Sequence, residues 1–406
     1  MELAPTDPVS LFLDAPTEGL FVEPLLDLIA EQAEQADRTR SLSAELVTAL
    51  KGTDVLRMSA TRGIGGAECT VGHIGRELEA ITARCASTGW VLWNHLCVFH
   101  LFVGTLGPDH VNFLTDIVEA GEWVCFPAGA GSGVKGQLNG DHATINGPAT
   151  WGSGSRYADY TGVVFAVTGP DGEPARPLDL RFTILPTTTE GLKIDPTWDG
   201  SSVKASATDH INYTDVRVDL SRSVSWFGAN RAESLRTCPV IHHRYREDWV
   251  GLSDLWLGWM AVGLVQAALA EGSASIRGRK ALMGLQMETR PTVQVNLGHA
   301  TALVAAARGS IASACREVDD RIEAGTVPNE ADYLRQMAMV SMALNQLEEA
   351  MALLTRTLGG TSLREGGSFD RRTRDFRAFP LHINAHQDRI TSQLGRHVLG
   401  QELEAF

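Results

Sequence analysis

The chain has 406 residues, 44% of them hydrophobic and 21% charged, and its formal net charge at pH 7 is −14. This length and composition predict about two or three structural units around a sizeable buried core, and they exclude a disordered chain. The negative charge argues against nucleic acid as a partner, because phosphate contacts need clustered Lys and Arg side chains.

We also expect no signal peptide, membrane span or bound metal. The first residues carry Asp and Glu before any apolar run, whereas a signal peptide begins with a basic and then an apolar segment. The most apolar stretch, residues 249–269, is interrupted by Ser253, Asp254 and Gln266. The cysteines form no CxxC pair, and no Cys/His spacing is typical of zinc. The sequence therefore predicts a cytoplasmic protein with reduced thiols.

The first two predicted regions differ in the periodicity of their apolar residues. Residues 1–118 are predicted to form an N-terminal α-helical domain, in which Ser43 is placed as an N-cap. Residues 119–225 are predicted to form a central β-domain, with the hairpin-turn dipeptide Asn139-Gly140. Three β-branched runs mark its strands, and the last two alternate as half-buried antiparallel strands do: 162–167, 180–185 and 212–218.

Helical periodicity returns in residues 226–406, which are predicted to form a C-terminal helical bundle. The clearest helix spans 331–358, where apolar residues three or four apart form one stripe of about seven turns. A glycine pair follows it, as expected for a C-cap. Two further long helices are predicted at about 247–281 and 292–323, and three helices of similar length predict an antiparallel bundle. The fold class expected from this order is α+β, mainly α.

One candidate site is the segment Trp151-Gly-Ser-Gly-Ser155, which follows a strand-like run. Ser153 between glycines, beside Trp151, can present a hydroxyl and backbone N–H groups to a flat ligand. A polar β-turn is the alternative explanation. No GxGxxG fingerprint precedes a helix, so no binding of NAD(P)H is predicted.

Aromatic and basic residues form three further patterns. Trp90, Trp93 and His95 follow small residues and are able to line an aromatic pocket, to which Trp256 adds an indole, although a well-filled core explains them equally. Farther along, Arg277 and Arg279 stand near a predicted helix end, where cations can hold a phosphate or simply remain solvated.

The third of these patterns is the basic run 371–377, which is followed by two histidines. His382 and His386 are four residues apart and would share one helix face. Either one is suited to act as a general base, because the pKa of histidine lies near neutral pH, and a structural role is the alternative. Metal binding is not favoured, because the segment is not an HExxH motif.

Taken in order, these segments resemble the acyl-CoA dehydrogenase superfamily, and most closely its two-component, flavin-dependent monooxygenases of group D. That branch contains aromatic and steroid hydroxylases, dibenzothiophene-type S-oxygenases and amino-sugar nitrososynthases. The resemblance covers about residues 20–400, and five stretches carry it: 85–92, 147–154, 198–208, 359–362 and 371–400. Position 204 differs from the family pattern, because Lys204 stands where the family often has Arg. The positive charge is kept, but the lysine ammonium group cannot form the bidentate hydrogen bonds of a guanidinium.

The resemblance implies an N-terminal helical domain, a central β-barrel domain, a C-terminal four-helix bundle and a homotetramer. Flavin would lie between the β-domain and the bundle, closed over by a neighbouring subunit. The roles implied are cofactor binding by Trp151, Ser153, Gly154, Arg279, Gly359, Gly360 and Arg371, substrate contact by Trp90, Trp93, His95, Trp256 and His382, and catalysis by His386, Ser153 and His95.

The catalytic base separates a dehydrogenase from an oxygenase in this superfamily. Many acyl-CoA dehydrogenases carry a Glu twelve residues before the Arg of the final helix, and counting back from Arg396 gives Asn384, which is no base at pH 7. The resemblance therefore implies an oxygenase component. It would receive reduced FMN, or FADH2, from a separate NAD(P)H:flavin reductase and use O2 to form a C4a-hydroperoxyflavin.

The implied substrate is a small, aromatic or heteroaromatic metabolite. In this interpretation Ser153 stabilises the flavin–oxygen adduct and His386 deprotonates or orients the substrate. Three alternatives stay open at this point: an acyl-CoA dehydrogenase-like flavoprotein, an N-oxygenase that acts on an amino sugar, and a helical scaffold without enzymatic activity.

Overall fold

The computed structural model describes residues 17–129, 132–169, 171–226, 236–382 and 385–403. Its first part is helical, as predicted, and consists of α1 (Leu26–Thr39), α2 (Ala44–Lys51), α3 (Val71–Arg84), α4 (Ala86–Leu106) and α5 (Val111–Glu119). The predicted N-cap is confirmed, because the Ser43 hydroxyl accepts a hydrogen bond from the N–H of Leu46 at 3.0 Å.

The central sheet has eight described strands: β1 (Val124–Cys125), β2 (Lys135–Asn139), β3 (His142–Gly152), β4 (Tyr160–Val167), β5 (Leu180–Pro186), β6 (Leu192–Asp195), β7 (Asp209–Asp219) and β8 (Val224–Ser225). Their order is β6-β7-β3-β2-β4-β5-β8, with β1 also beside β4. Two strands were expected to be antiparallel, and both are: β5 pairs antiparallel with β4, and β7 pairs antiparallel with β3. In contrast, β1 and β2 run parallel to β4. Among the described residues this pairing does not close into a barrel.

The C-terminal part contains the three predicted long helices, α6 (Trp249–Ile276), α7 (Pro291–Ala324) and α8 (Glu330–Leu358). Three shorter helices follow: α9 (Ser368–Phe376), α10 (Ala378–Leu381) and α11 (Gln387–Val398). The helices α6, α7 and α8 pack against one another, and α11 packs on α8, which gives a four-helix bundle. The division into three domains at 118/119 and 225/226 stays a prediction.

The N-terminal helices and the bundle share one hydrophobic core. The closest approach is between α3 and α6, where glycines let two helices nearly touch. A Cβ on Gly263 would be 2.2 Å from the carbonyl oxygen of Glu79, and a Cβ on Gly75 would be 2.2 Å from Cδ1 of Trp259. This crossing fixes how the helices around the candidate site lie relative to one another.

Two helices, α4 and α6, are long and apolar enough to cross a membrane by length and composition alone. In the structure their most apolar windows are 83% and 89% buried inside the protein. Both are apolar on every face because protein surrounds them, and they are core helices.

Candidate functional site

The irregular end of β3 and the turn that follows it hold an indole at the surface. The register between β3 and β7 shifts between Ala149 and Gly152, and Trp151 adopts a positive φ of 67° at that irregularity. Its ring is 54% exposed, and it packs edge-on against Trp198 with ring centroids 5.7 Å apart. On the other side it lies so close to Gly129 that a Cβ there would be 2.2 Å from Cδ1 of Trp151. The turn therefore holds a flat aromatic surface open to solvent.

Behind Trp151, a chain of buried hydroxyl groups leads to Ser153. The indole N–H of Trp90 donates to Ser153 Oγ at 3.1 Å. Ser153 Oγ lies 3.0 Å from the hydroxyl of Thr208, which lies 2.7 Å from that of Ser206. The three hydroxyl groups carry three protons, and the two hydrogen bonds between them use only two of these. One O–H group therefore stays available to donate to another acceptor. When Ser206 and Thr208 donate toward Ser153, the Ser153 O–H is free to donate to a bound group.

The loop that carries Ser206 and Thr208 is held by α9 on one side and by the turn of Ser153 on the other. The N–H of Val203 donates to the Asp375 carboxylate on α9 at 2.6 Å, and the carbonyl of Ser206 accepts from the N–H of Gly154 at 2.8 Å. Burial raises the pKa of Asp375 to about 7. No role was predicted for Asp375, which lies within the basic run 371–377.

Lys204, the departure from the family pattern, also has a structural partner. Its ammonium group lies 3.6 Å from the Asp37 carboxylate, which Arg374 binds as well at 3.0 Å. A point charge is sufficient for this shared ion pair, because the planar guanidinium of Arg374 already occupies the carboxylate.

Four aromatic side chains form a cluster that continues from the hydroxyl chain. Trp93 lies 5.0 Å from Trp90 and 4.8 Å from His382, measured between ring centroids. Trp90 also contacts Phe379 at 5.6 Å and His382 at 5.7 Å, in both cases edge to face. The structure therefore brings Ser153, Trp90, Trp93 and His382 together, although they come from three distant parts of the sequence.

The expectation that His382 and His386 share a helix face is wrong. The helix α10 ends at Leu381 and the next helix begins only at Gln387, so His382 follows one helix and His386 precedes the other. Burial, together with the charge of Arg389, lowers the pKa of His382 to about 4. Asn384, on which the argument against a dehydrogenase rests, lies outside the described residues.

Two residues expected at the pocket are bonded to main-chain groups instead. His95 Nδ1 accepts from the N–H of Val124 at 3.0 Å, and its Nε2 lies 2.9 Å from the carbonyl oxygen of Leu56. Trp256 is 1% exposed and donates its indole N–H to the carbonyl of Val71 at 3.1 Å. These contacts occupy both ring nitrogens of His95, so neither residue enters the site assembled here.

The residues expected at the flavin phosphate lie apart from the aromatic cluster in the sequence but meet at the end of α8. Arg279 is half-buried and donates to the carbonyl oxygen of Leu358 at 3.5 Å. Gly359 follows with a positive φ of 60°, and no atom lies within 4 Å of a Cβ on Gly359 or Gly360. Arg371 lies on α9. Burial raises the pKa of Asp375, and the positive charge of Arg371 partly opposes that effect. The approach of these groups from a neighbouring subunit stays a prediction.

Three buried histidines predict that acid destabilises the protein. Burial lowers the pKa of His95 to about 4, of His100 to about 3 and of His382 to about 4. Because these values lie below the ordinary 6.5, the neutral forms stabilise the fold above pH 6.5, and this contribution is lost as pH falls through about 4. Each group contributes on the order of 3 kcal/mol, at about 1.4 kcal/mol per pKa unit.

We therefore expect the melting temperature, followed by circular dichroism, to fall steeply between pH 6.5 and 4.5. His100→Gln should melt lower at pH 7, because the hydrogen bond from His100 Nε2 to the carbonyl of Glu247 is 2.9 Å long and is disturbed. Its melting temperature should then depend less on pH than that of the wild type. Equal pH dependence in the two proteins contradicts the assignment.

Comparisons with known proteins agree with this geometry. Residues 255–387 match the family described as acyl-CoA dehydrogenase, C-terminal domain. Over 333 residues the chain is 26% identical to an indole-3-acetate monooxygenase from Pseudomonas putida, covering 80% of each protein. It is 22% identical over 392 residues to the oxygenase component of p-hydroxyphenylacetate 3-hydroxylase from Acinetobacter baumannii, covering 94% of this chain and 88% of the relative.

A solved structure shows the same fold. XiaF from Streptomyces sp., in complex with FADH2 and glycerol, has a TM-score of 0.85 to this chain at 19% sequence identity, and 94% of each chain is covered. The relatives and this structure span nearly the whole length of the chain and not only its C-terminal part. The C-terminal part of the chain thus matches the acyl-CoA dehydrogenase family, and most of the chain is similar in sequence to monooxygenases that act on aromatic compounds and shares the fold of XiaF.

Proposed function

We propose that this protein is the oxygenase component of a two-component monooxygenase, which uses reduced flavin and O2 to oxygenate a small aromatic substrate. The observation that carries this proposal is the double contact of Trp90. Its indole N–H donates to Ser153 on the flavin side, and its ring packs against Trp93 and His382 on the substrate side. A reacting group held at Ser153 would therefore lie next to the aromatic cluster.

The residues present fit a flavin at this place. Trp151 offers an exposed aromatic surface against which an isoalloxazine ring can lie. Ser153 offers an O–H group that is free to donate when Thr208 donates to Ser153 Oγ. When bound, reduced flavin supplies two electrons to O2, of which one oxygen atom enters the substrate and the other leaves as water. Gly154 gives the turn its positive φ of 78°, and Arg279 with the turn at Gly359 is proposed to hold the phosphate.

Water must be kept from the reacting atoms, or the activated oxygen is released as hydrogen peroxide. Trp90 and Trp93 are 6% and 1% exposed, and Phe379 is fully buried. These apolar side chains shield the substrate side of Ser153 from bulk solvent. We propose that His382, which is neutral at pH 7 because of its low pKa, orients the substrate, and that His386 takes part in proton transfer.

The reaction needs a source of reduced flavin. We propose a separate NAD(P)H:flavin reductase, with FMN or FAD as the flavin carried between the two proteins. We also propose a cytoplasmic homotetramer. Exposed apolar side chains on α7 and α8, Val295 at 67% and Met342 at 58%, support a contact between subunits. Light scattering at micromolar concentration tests this, and a monomer there contradicts it.

Rapid mixing of the protein and reduced FMN with oxygenated buffer tests the function. We expect the wild-type protein to delay the release of hydrogen peroxide relative to free reduced FMN. In Ser153→Ala the delay should shorten about tenfold, since one hydrogen bond to the bound group contributes about 1.5 kcal/mol. The matched control is Ser59→Ala, because Ser59 is equally buried but lies outside the site and has no hydrogen-bond partner in the described ranges.

Two outcomes contradict the proposed function. One is reoxidation of reduced FMN and FADH2 at the free-flavin rate in the presence of the wild-type protein. The other is a delay that is equally long in Ser153→Ala and in the wild type. In the first case thioesters of coenzyme A become the substrates to test, because the superfamily also contains dehydrogenases.

A further inference from the structure

Asp254 is a buried carboxylate for which the site described above has no use. Its side chain on α6 is 1% exposed, and neither carboxylate oxygen has a hydrogen-bond partner among the described residues. A buried acid left in this state destabilises the fold, whereas two other buried acids of the core, Glu79 and Glu247, are paired with arginines. The unpaired oxygens of Asp254 are therefore acceptors that the fold itself does not satisfy.

Asp254 lies beside the aromatic cluster. The residue before it, Ser253, accepts the indole N–H of Trp93 through its carbonyl oxygen at 2.9 Å, and Trp93 packs on His382. Burial raises the pKa of Asp254 well above its usual range and lowers that of His382, and the positive charge of Arg389 lowers both. Trp93 thus links the two groups, because it contacts the residue next to Asp254 and the ring of His382.

Groups from two neighbouring helices lie near this carboxylate. Gln336, on α8, packs on the first turn of α6, where a Cβ on Gly251 would lie 3.3 Å from Gln336 Oε1. Gln336 Nε2 is buried without a hydrogen-bond partner in the described part of the chain. On α4, burial raises the pKa of the Cys97 thiol to about 12, and the charge of Asp254 adds to that effect. Asp254 therefore lies on a helix, α6, that packs against both α4 and α8.

We propose that Asp254 anchors the substrate by accepting a hydrogen bond from an N–H group on an aromatic ring. This inference rests on the proposed function and narrows its substrate class to N–H heteroaromatic compounds and aryl amines. The aromatic rings of the cluster supply flat contact area, and Asp254 supplies the acceptor that fixes the orientation of the ring. A ring analogue without the N–H leaves the carboxylate unpaired, and such a penalty discriminates between ligands more strongly than shape alone.

The test compares indole with benzofuran, which has nearly the same shape but no N–H. Binding of each to the full chain without flavin is measured by isothermal titration calorimetry. We expect the wild type to bind indole at least about tenfold more tightly than benzofuran. In Asp254→Leu, which keeps similar volume but has no acceptor, the ratio of the two dissociation constants should fall to about one. Its melting temperature should rise, because the unpaired acid is removed.

A half-buried aspartate whose oxygens have partners provides the control. Asp319 accepts hydrogen bonds from the N–H groups of Val71 and Gly72, so its oxygens already have partners. Asp319→Asn should be less stable than the wild type but should keep the preference for indole. A preference that survives in Asp254→Leu overturns the proposal, as does equal binding of both ligands, or of neither, by the wild type.

The peroxide-release experiment separates this inference from the proposed function. Asp254→Leu should delay peroxide release from reduced FMN as the wild type does when no substrate is present, since Asp254 is not placed against the flavin. An unchanged delay with a lost indole preference supports the anchor. A normal delay in the wild type together with an indole preference that does not depend on Asp254 overturns the anchor and leaves the oxygenase function standing.

Discussion

Replacing Arg308 with Met should lower the free energy of unfolding by about 3 to 5 kcal/mol at pH 7. Arg308 binds Glu79 through two hydrogen bonds of 2.9 and 3.3 Å and thereby joins α7 to α3. Glu79 is 4% exposed, and burial raises its pKa while Arg308 lowers it. In Arg308→Met the carboxylate remains buried without its cation, while the methionine still covers the ring of Trp259 on which the guanidinium lies.

The deficit of Arg308→Met should depend on pH in a defined direction. Without its cation, the folded-state pKa of Glu79 is raised further above the unfolded value of about 4.5. The stability that its neutral form provides is present below that value and is lost as pH rises through the folded-state pKa. The variant should therefore approach the wild type near pH 5 and lie farthest from it at pH 8, as measured by urea denaturation.

An exposed ion pair on the same bundle gives the control for this effect. Arg335 lies 2.9 Å from Glu317, but the Arg335 side chain is 48% exposed. Arg335→Met should change stability by no more than about 1 kcal/mol, because water screens the pair. A deficit of Arg308→Met that is equally small, or the same at pH 5 and pH 8, would show that Glu79 does not depend on its partner. Removing both groups in Glu79→Gln/Arg308→Met should recover much of the loss.

Gly263→Ala is expected to destabilise the protein by on the order of 3 kcal/mol. The new Cβ would be 2.2 Å from the carbonyl oxygen and 2.9 Å from the carbonyl carbon of Glu79, which belong to the backbone of α3. A side chain could rotate out of the way, but a helix backbone cannot, so α3 and α6 must move apart. Their separation exposes core residues between the N-terminal helices and the bundle, and urea denaturation monitors the loss.

The same substitution elsewhere in the bundle should have the opposite sign. Gly309 lies in α7, and no atom lies within 4 Å of a Cβ built on it. Gly309→Ala should therefore stabilise the protein by up to about 1 kcal/mol, because alanine favours the helix more than glycine does. If Gly263→Ala proves as stable as Gly309→Ala, the close approach of α3 and α6 is not a feature of the folded protein.

Much of the candidate site could be predicted from local patterns. The turn that exposes Trp151 and presents Ser153 follows from two glycines and a strand end, which are close together in the sequence. The functions predicted for the histidines depend on tertiary contacts, which a local sequence pattern does not reveal. His95 and His382 each follow an aromatic residue closely in the sequence, Trp93 and Phe379, but His95 bonds to main-chain groups whereas His382 packs on Trp93.

Two of the residues that support the site gave no functional signal in the sequence. Asp375 holds the N–H of Val203 from 172 positions away, and it was expected only as part of a basic run. Phe379 packs on Trp90, but a single phenylalanine in a short helix cannot be told from any other core residue. Asp254 was visible in the sequence as an acid within an apolar helix, but there it served only as an argument against a membrane span.

The sequence by itself determined the long helices, the N-cap at Ser43, the principal strands, and the family that the chain resembles. These follow from apolar periods of 3.6 and 2 residues and from glycine and N-cap positions, all of which act over a few residues. The tertiary structure decided which groups meet, Trp90 with Ser153 and His382 with Trp93, and it left Asp254 without a hydrogen-bond partner among the described residues. Such contacts depend on how helices cross and strands register, and packing across the whole core fixes both, as at the contact between Gly263 and Glu79.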